Sequence, residues 1–144
     1  MIFGRKKRKI VRLLVVEDEP LVAFDTEYFL IESGFQIVGT VDSAAHAIAL
    51  VGSAAAIDLV LADINLAGGS GMDVARAART RAIPVLFVTG NCPPEAAGIA
   101  AGCLDKPYAQ RDLLAAIGAI EARLEGKPTK RLPGGLRLFE PSAG

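Results

Sequence analysis

The sequence is poor in the residues from which most metal centres and nucleophilic triads are built. It has one histidine, His46, and two cysteines, Cys92 and Cys103. A multi-histidine metal site or a Ser-His-Asp arrangement has almost nothing to work with. His46 follows Ala44-Ala45 on a predicted helix and reads as an exposed or packed imidazole. The cysteines stand 11 residues apart, which is neither a metal-ligand nor a redox-motif spacing. They are expected to be free thiols of a reducing compartment. Long apolar runs are also missing, so no segment approaches membrane-spanning length. The basic start, Met1 to Lys9, lacks the clean apolar stretch and small-residue cleavage site of a secretory leader. A cytoplasmic location is the expectation.

The 144 residues carry no net charge, but the balance is uneven along the chain. Residues 1–12 hold six Lys/Arg and no acid, and residues 126–144 hold Lys127, Lys130, Arg131 and Arg137 against Glu140. Both ends are basic and the body between them is acidic. Basic ends are read as solvated tails, with contact to an anionic partner or back onto the acidic body as the sharper alternative. The expected organisation is a basic tail over 1–9, one domain over 10–125 and a C-terminal tail over 126–144. That last tail, with Pro133-Gly134-Gly135, reads as mobile or as a loose hairpin. It is too short for a helix-turn-helix, so no DNA-binding domain is expected there.

What the chain does have is short apolar runs that stop on polar residues. Asp58-Leu-Val-Leu-Ala-Asp63 is a buried strand ending on a carboxylate, and Gly68, Gly69 and Gly71 follow it. Ile10 to Val16 is a strand ending at Glu17-Asp18-Glu19. Pro20 then suits the first turn of a helix. Leu21, Phe24, Tyr28 and Ile31 give that helix one apolar face, and Gly34 closes it. Gln36 to Val41 is a second strand. Asp42 or Ser43 caps a helix with Ala44, Ile48 and Val51 inward. Met72 to Thr80 is helical, and Ile83 to Val88 is a fourth strand ending on Thr89-Gly90. Pro93-Pro94-Glu95 opens an Ala- and Gly-rich fourth helix, which should be weakly anchored. Gly102-Cys-Leu104 is a very short fifth strand before Asp105-Lys106-Pro107-Tyr108. The last helix, Gln110 to Glu125, places Leu113, Ile117, Ile120 and Leu124 on one face.

Five strand–helix units in strict alternation predict a doubly wound, flavodoxin-like (βα)5 α/β fold with a five-stranded parallel sheet. In the common strand order 2-1-3-4-5, the functional rim is the carboxyl end of the strands. Glu17, Asp18, Asp63, Thr89 and Lys106 all fall there. Carboxylates that converge repel one another unless a cation joins them. An oxygen-only donor set suits a hard ion, Mg²⁺ above all. Asp18 and Asp63 are the candidate direct ligands, with the backbone carbonyl near Asn65 as a third and Glu17 holding a metal-bound water. Any of the three acids could be the nucleophile. Asp63 is favoured because it stands alone on its strand and faces the glycine loop. The chemistry expected is acceptance of a phosphoryl group, which needs positioning and charge neutralisation more than covalent machinery. Lys106 would neutralise one phosphoryl oxygen and Thr89 would donate to another. Asn91 would influence water access. Each part also has a plainer reading: a helix N-terminus for Glu17-Asp18-Glu19, a cap for Thr89, a surface charge for Lys106.

The run Leu14-Val-Val-Glu-Asp-Glu-Pro20, the Asp58 to Leu66 stretch, Gly71-Met-Asp73, Val88-Thr-Gly90 and Asp105-Lys-Pro107 together resemble the receiver domain of bacterial two-component response regulators, over about Ile10 to Glu125. The resemblance implies phosphorylation of Asp63 by a histidine kinase or histidine phosphotransfer protein, with Glu17 and Asp18 as the acidic pair and Mg²⁺ as cofactor. It further implies Thr89 as the switch hydroxyl and Lys106 as the phosphate-sensing lysine. One departure is Cys103, which occupies the switch position where the family usually has Phe or Tyr. Ile83-Pro-Val-Leu-Phe-Val-Thr-Gly-Asn91 is similar to the signature of the stand-alone FAT GUY receivers at Pro84, Phe87, Thr89 and Gly90, though not at Val85, Val88 or Asn91. The resemblance points to a single-domain regulator that signals through protein contacts, with the face of the fourth helix, fifth strand and last helix (α4-β5-α5 in that five-unit scheme) as the downstream surface. Competing readings are a phosphate sink, a phosphorylation-independent binding module and, last, a small flavodoxin-like enzyme or Mg²⁺-dependent phosphatase.

Overall fold

Strand β3, Leu59–Ala62, is buried along its whole length, and the sheet is laid out around it. A computed structural model describes residues 8–129 and 131–140. The main sheet has the order β2-β1-β3-β6-β7-β8. Its strands are β1 (Arg12–Val16), β2 (Gln36–Val41), β3, β6 (Val85–Thr89), β7 (Gly102–Asp105) and β8 (Leu136–Leu138). The first five in that order are parallel, as the alternation predicts. Strand residues alternate between two cores. Leu14, Val16, Val60, Ala62 and Phe87 join the core shared with α2 (Ala44–Val51) and α3 (Gly71–Thr80). Leu13, Val15, Leu59, Leu61 and Leu86 join the core of the opposite face, with Leu30 of α1 (Pro20–Glu32) and Leu113, Ile117 and Ile120 of α4 (Gln110–Leu124).

Local signals in the sequence set most element ends. Ser43 caps α2 by accepting the His46 amide hydrogen at 3.2 Å, and His46 itself is exposed. Ser70 caps α3 through the Met72 amide at 3.1 Å. Gly34 ends α1 with φ +96°, a conformation that favours glycine, and the Phe35 amide closes back onto Leu30 O at 3.0 Å.

Several expectations are corrected. The Leu21–Phe24–Tyr28–Ile31 stripe of α1 faces outward, with exposures of 80, 64, 60 and 52%. The inward face carries Ala23, Glu27 and Leu30, and Glu27 accepts the Thr40 hydroxyl of β2 at 2.5 Å. A small residue that permits close approach and a polar bond to the sheet fix the helix rotation, against the more hydrophobic stripe. Leu124 is likewise exposed, one turn beyond the buried Ile120. The glycine loop after Asp63 contains a small antiparallel ladder, β4 (Asn65–Leu66) with β5 (Gly69–Ser70). The fourth helix is only a 3-10 turn, Pro94–Gly98, because two prolines, a glycine and no apolar stripe leave little to propagate or bury.

Part of the C-terminal segment, Leu136–Leu138, is a strand of the main sheet, β8, and does not form a hairpin of its own. Strand β8 pairs antiparallel with β7, Leu104 opposite Leu136 and Gly102 opposite Leu138, so the sheet has six strands. Gly102 permits the pairing, since a Cβ there would stand 2.7 Å from Arg137 O. The described ends both meet α4. Glu121 accepts the amides of Lys9 and Ile10 at 2.5 and 2.8 Å, while Arg123 donates to Phe139 O at 3.2 Å. Arg8 donates to Ser33 O at 2.8 Å and sits 4.4 Å from the Phe35 ring centre. Arg8 and Lys9 therefore lie by the start of β1, at the opposite end of that strand from Glu17. Residues 1–7, Lys130 and 141–144, on which part of the basic-tail reading falls, lie outside the described residues. No described helix is long and apolar enough to cross a membrane.

Finally, the two cysteines are not free. Cys92 and Cys103 form a disulfide with Cα atoms 6.4 Å apart. The segment after β6 doubles back over β7 and brings the pair together, a proximity that linear spacing does not reveal.

Candidate functional site

Each acidic residue of the rim is delivered by a strand end. The Asp63 amide donates to Val16 O at 3.0 Å, and the Glu17 amide donates to Val41 O at 2.9 Å, so the ends of β1, β2 and β3 are locked side by side. The carboxylates of Glu17, Asp18 and Asp63 offer oxygen atoms all within 4.8 Å of one another. Gly71 makes room for this. A Cβ on it would collide with the backbone carbonyl of Asp63 and stand 2.9 Å from Ile64 Cα, and its amide donates to Ile64 O at 2.8 Å. Only glycine lets the start of α3 close up under the Asp63 carbonyl.

Lys106 arrives from the end of β7. Its Nζ lies 3.0 Å from Glu17 Oε1 and 3.0 Å from Asp63 Oδ2. One ammonium thus bridges a buried and a half-buried carboxylate. Burial alone would lower the lysine pKa, but the hydrogen bonds to Asp63 and Glu17 and the two negative charges outweigh it, so the net direction is upward. Backbone amides hold a further oxygen of each acid. Glu17 accepts the Glu19 amide at 3.1 Å, Asp63 accepts the Asn65 amide at 3.2 Å, and Asp18 reaches across the rim to the Ala67 amide at 2.9 Å.

Thr89 is buried at the end of β6, and its backbone carbonyl accepts the Lys106 amide at 2.9 Å. Its hydroxyl is 3.3 Å from both the amide and the carbonyl of Asn91. The sequence-predicted rim residues Glu17, Asp18, Asp63 and Lys106 are therefore in contact or close to it, while the Thr89 hydroxyl is engaged with its own loop. Asn65, proposed for its carbonyl, sits exposed on β4 next to Asp63. Cys103 lies on β7 opposite Phe87 of β6, in the core.

Sequence reasoning missed a cavity of about 530 Å³ beside Lys106, between α1 and the segment after β7. Val22, Thr26, Phe29, Pro107, Tyr108 and Leu113 are among its walls. The Lys106–Pro107 peptide is cis. Burial raises the Tyr108 pKa, opposed in part by a hydrogen bond with Thr26 and by the charge of Lys106. Tyr108 stood in the quoted Asp105-Lys-Pro-Tyr108 run, but the partner that positions it, Thr26, is on a different element.

Chemically the donor set fits a hard divalent cation. Three carboxylates converge, with no imidazole or thiolate among them, and Lys106 alone does not balance their charge. The same arrangement fits an incoming anionic phosphoryl group, with Asp63 as the least buried-in of the strand-end acids that Lys106 touches.

Comparison with known proteins places this geometry. Residues 13–118 match the sequence profile of the response regulator receiver domain. The sensory transduction protein RegX3 of Mycobacterium tuberculosis is 37% identical over 117 residues, covering 77% of this chain and 51% of RegX3. The chain spans about half the length, or less, of the curated relatives it matches. A response regulator receiver protein from Sinorhizobium medicae superposes with a TM-score of 0.67 at 30% identity, over 78% of this chain and 94% of that one. SdrG from Sphingomonas melonis does so with a TM-score of 0.65 at 35% identity, over 77% and 96%. A rim of three acids and a lysine on a doubly wound sheet, matched over most of the domain, settles the family: the chain belongs to the response regulator receiver domains of two-component systems.

Proposed function

We propose that the protein is a single-domain response regulator that accepts a phosphoryl group on Asp63 and passes the signal on by protein contact. The observation that carries the reading is the double ion pair of Lys106 with Asp63 and Glu17 at the strand-end rim. The donor is a phosphohistidine of a kinase or phosphotransfer protein. A carboxylate oxygen of Asp63 bonds to phosphorus, the phosphorus–nitrogen bond breaks, and the electron pair leaves on the imidazole, which takes up a proton. Mg²⁺ held by Asp18, Asp63 and the Asn65 carbonyl, with Glu17 through water, would supply counter-charge to the phosphoryl oxygens. Lys106 supplies a second counter-charge from a position it already occupies. Thr89 must exchange its bonds to Asn91 for one to the phosphoryl group, and that exchange moves the loop after β6. Single-domain action is supported by the near-complete coverage of SdrG and of the Sinorhizobium receiver. A cytoplasmic location follows from the kinase partner.

The downstream surface is the face of the Pro94–Gly98 turn, β7 and α4, extended by β8, which occupies the edge of β7. Incubation with acetyl phosphate and Mg²⁺ followed by intact-mass measurement tests the reading. Wild-type protein should gain one phosphoryl group and Asp63→Asn should gain none. Equal labelling of the variant would overturn the assignment.

A further inference from the structure

We propose that Cys92 and Cys103 form a reversible thiol–disulfide site that determines whether the loop after β6 can move in response to Asp63. The site's substrate is a low-molecular-weight disulfide in the oxidising direction and a small thiol in the reducing one.

Position is the first argument. Cys92 is three residues past Thr89, and Cys103 is three residues before Lys106. The Lys106 amide donates to the Thr89 carbonyl at 2.9 Å. The disulfide and this hydrogen bond together close a small ring of chain that contains both Thr89 and Lys106. While the ring is covalently shut, Cys92 is held to β7 and Asn91 beside it is restrained, so a turn of the Thr89 hydroxyl toward Asp63 carries less of the loop with it. Opening the disulfide leaves one hydrogen bond in place of two ties.

The segment between the cysteines is the second argument. It holds a single 3-10 turn in which only Ala96 is buried. Segments with so little buried apolar surface open at low cost unless something else fastens them. The domain has a full core on each face of its sheet and does not need a staple to fold. A cross-link that ties the loop beside the reactive rim to β7 therefore acts mainly on that loop.

Access is the third. Cys92 is half-buried, whereas Cys103 is wholly buried on β7. A small disulfide reaches Cys92 first. The Cys92 thiolate attacks one sulfur of the reagent and expels a thiolate, leaving a mixed disulfide. The Cys103 thiolate then attacks the Cys92 sulfur and expels the second thiolate. The protein dithiol loses two electrons, the reagent gains them, and the two cysteine protons end on the two released thiols. Two small thiols reverse the sequence.

The thiol–disulfide site stands on its own geometry; its coupling to Asp63 rests on the proposed phosphoacceptor role. The full chain is oxidised with glutathione disulfide, or reduced with dithiothreitol, and alkylated after denaturation. Two adducts are expected for the reduced protein and none for the oxidised. Beryllofluoride with Mg²⁺ is then added to each form, and to Cys92→Ser, while backbone amide shifts are followed by NMR. Reduced protein and Cys92→Ser should respond at Asp63, Lys106 and throughout 90–101. Oxidised protein should respond at Asp63 and Lys106 but lose the response over 90–101. Two adducts after glutathione disulfide would overturn the site, and equal responses over 90–101 in both forms would overturn the coupling. No response at Asp63 in either form overturns the phosphoacceptor reading and the coupling with it, while the adduct count still decides the site.

Discussion

At the scale of single residues, Lys106 is the hinge of the site's electrostatics. Glu17 is 5% exposed, and among the described residues Lys106 and one backbone amide offset its charge. Removing one partner of such a pair leaves an uncompensated carboxylate. Lys106 itself is partly exposed, so solvent screening reduces the effect. Lys106→Met should lose about 2 kcal/mol in urea unfolding at neutral pH. Added Mg²⁺ should recover part of that loss by replacing the missing cation; a variant as stable as wild type without Mg²⁺ would show that the Lys106 ion pairs do not stabilise the fold. The pH dependence has a definite sign. A folded-state pKa raised above the unfolded one means that folding holds the proton more tightly. The stabilisation from Lys106 is complete at neutral pH and is lost as pH rises through its raised value, above the ordinary lysine range. Tyr108, raised chiefly by burial, adds a loss in the same alkaline direction. Unfolding free energy measured toward alkaline pH should fall more steeply for wild type than for Lys106→Met.

At the scale of elements, α1 separates hydrophobicity from burial. Leu30→Ala should cost about 2–4 kcal/mol, the ordinary penalty for emptying a core leucine site, because Leu30 is wholly buried. Phe24→Ala and Ile31→Ala should each stay within about 0.5 kcal/mol of wild type, although both residues are apolar. Urea unfolding of the three variants checks the contrast, and comparable losses at all three would mean that the stripe is packed. The sequence misled here because the inward face is mixed. Ala23 and Leu30 share it with Glu27, whose bond to Thr40 depends on β2. Strands were easier to read. Runs such as Leu59 to Ala62 are apolar on both faces and end on the very carboxylates that form the rim, so Glu17, Asp18, Asp63 and Lys106 were placed together by topology alone. Contacts between distant segments were not legible. Nothing local in Leu136-Arg-Leu138 announces pairing with β7, and a separation of 11 residues says nothing about the Cys92–Cys103 bond. The short Pro94–Gly98 turn was legible only as weakness, through its prolines and glycine.

At the scale of the whole molecule, β8 covers the edge of β7 that the five-strand plan leaves open and puts a shorter strand of three residues at the rim of the sheet in its place. Unpaired strand edges invite pairing with another chain. Truncation after Gly126 removes the buried Leu136 side chain and uncovers β7. It should cost about 2 kcal/mol, the scale of burying one leucine, and should make the protein self-associate in sedimentation velocity. A truncated chain that is monomeric and equally stable would show that β8 contributes neither. The described ends have a further property. Residues 9 and 10 are tied to Glu121, and residue 139 is tied to Arg123, so one turn of α4 receives both. Mechanically the two ends are a single handle. A tag or reporter joined ahead of residue 8 and one joined beyond residue 140 load the same turn of the same helix, so moving a fusion from one end to the other is not an independent control.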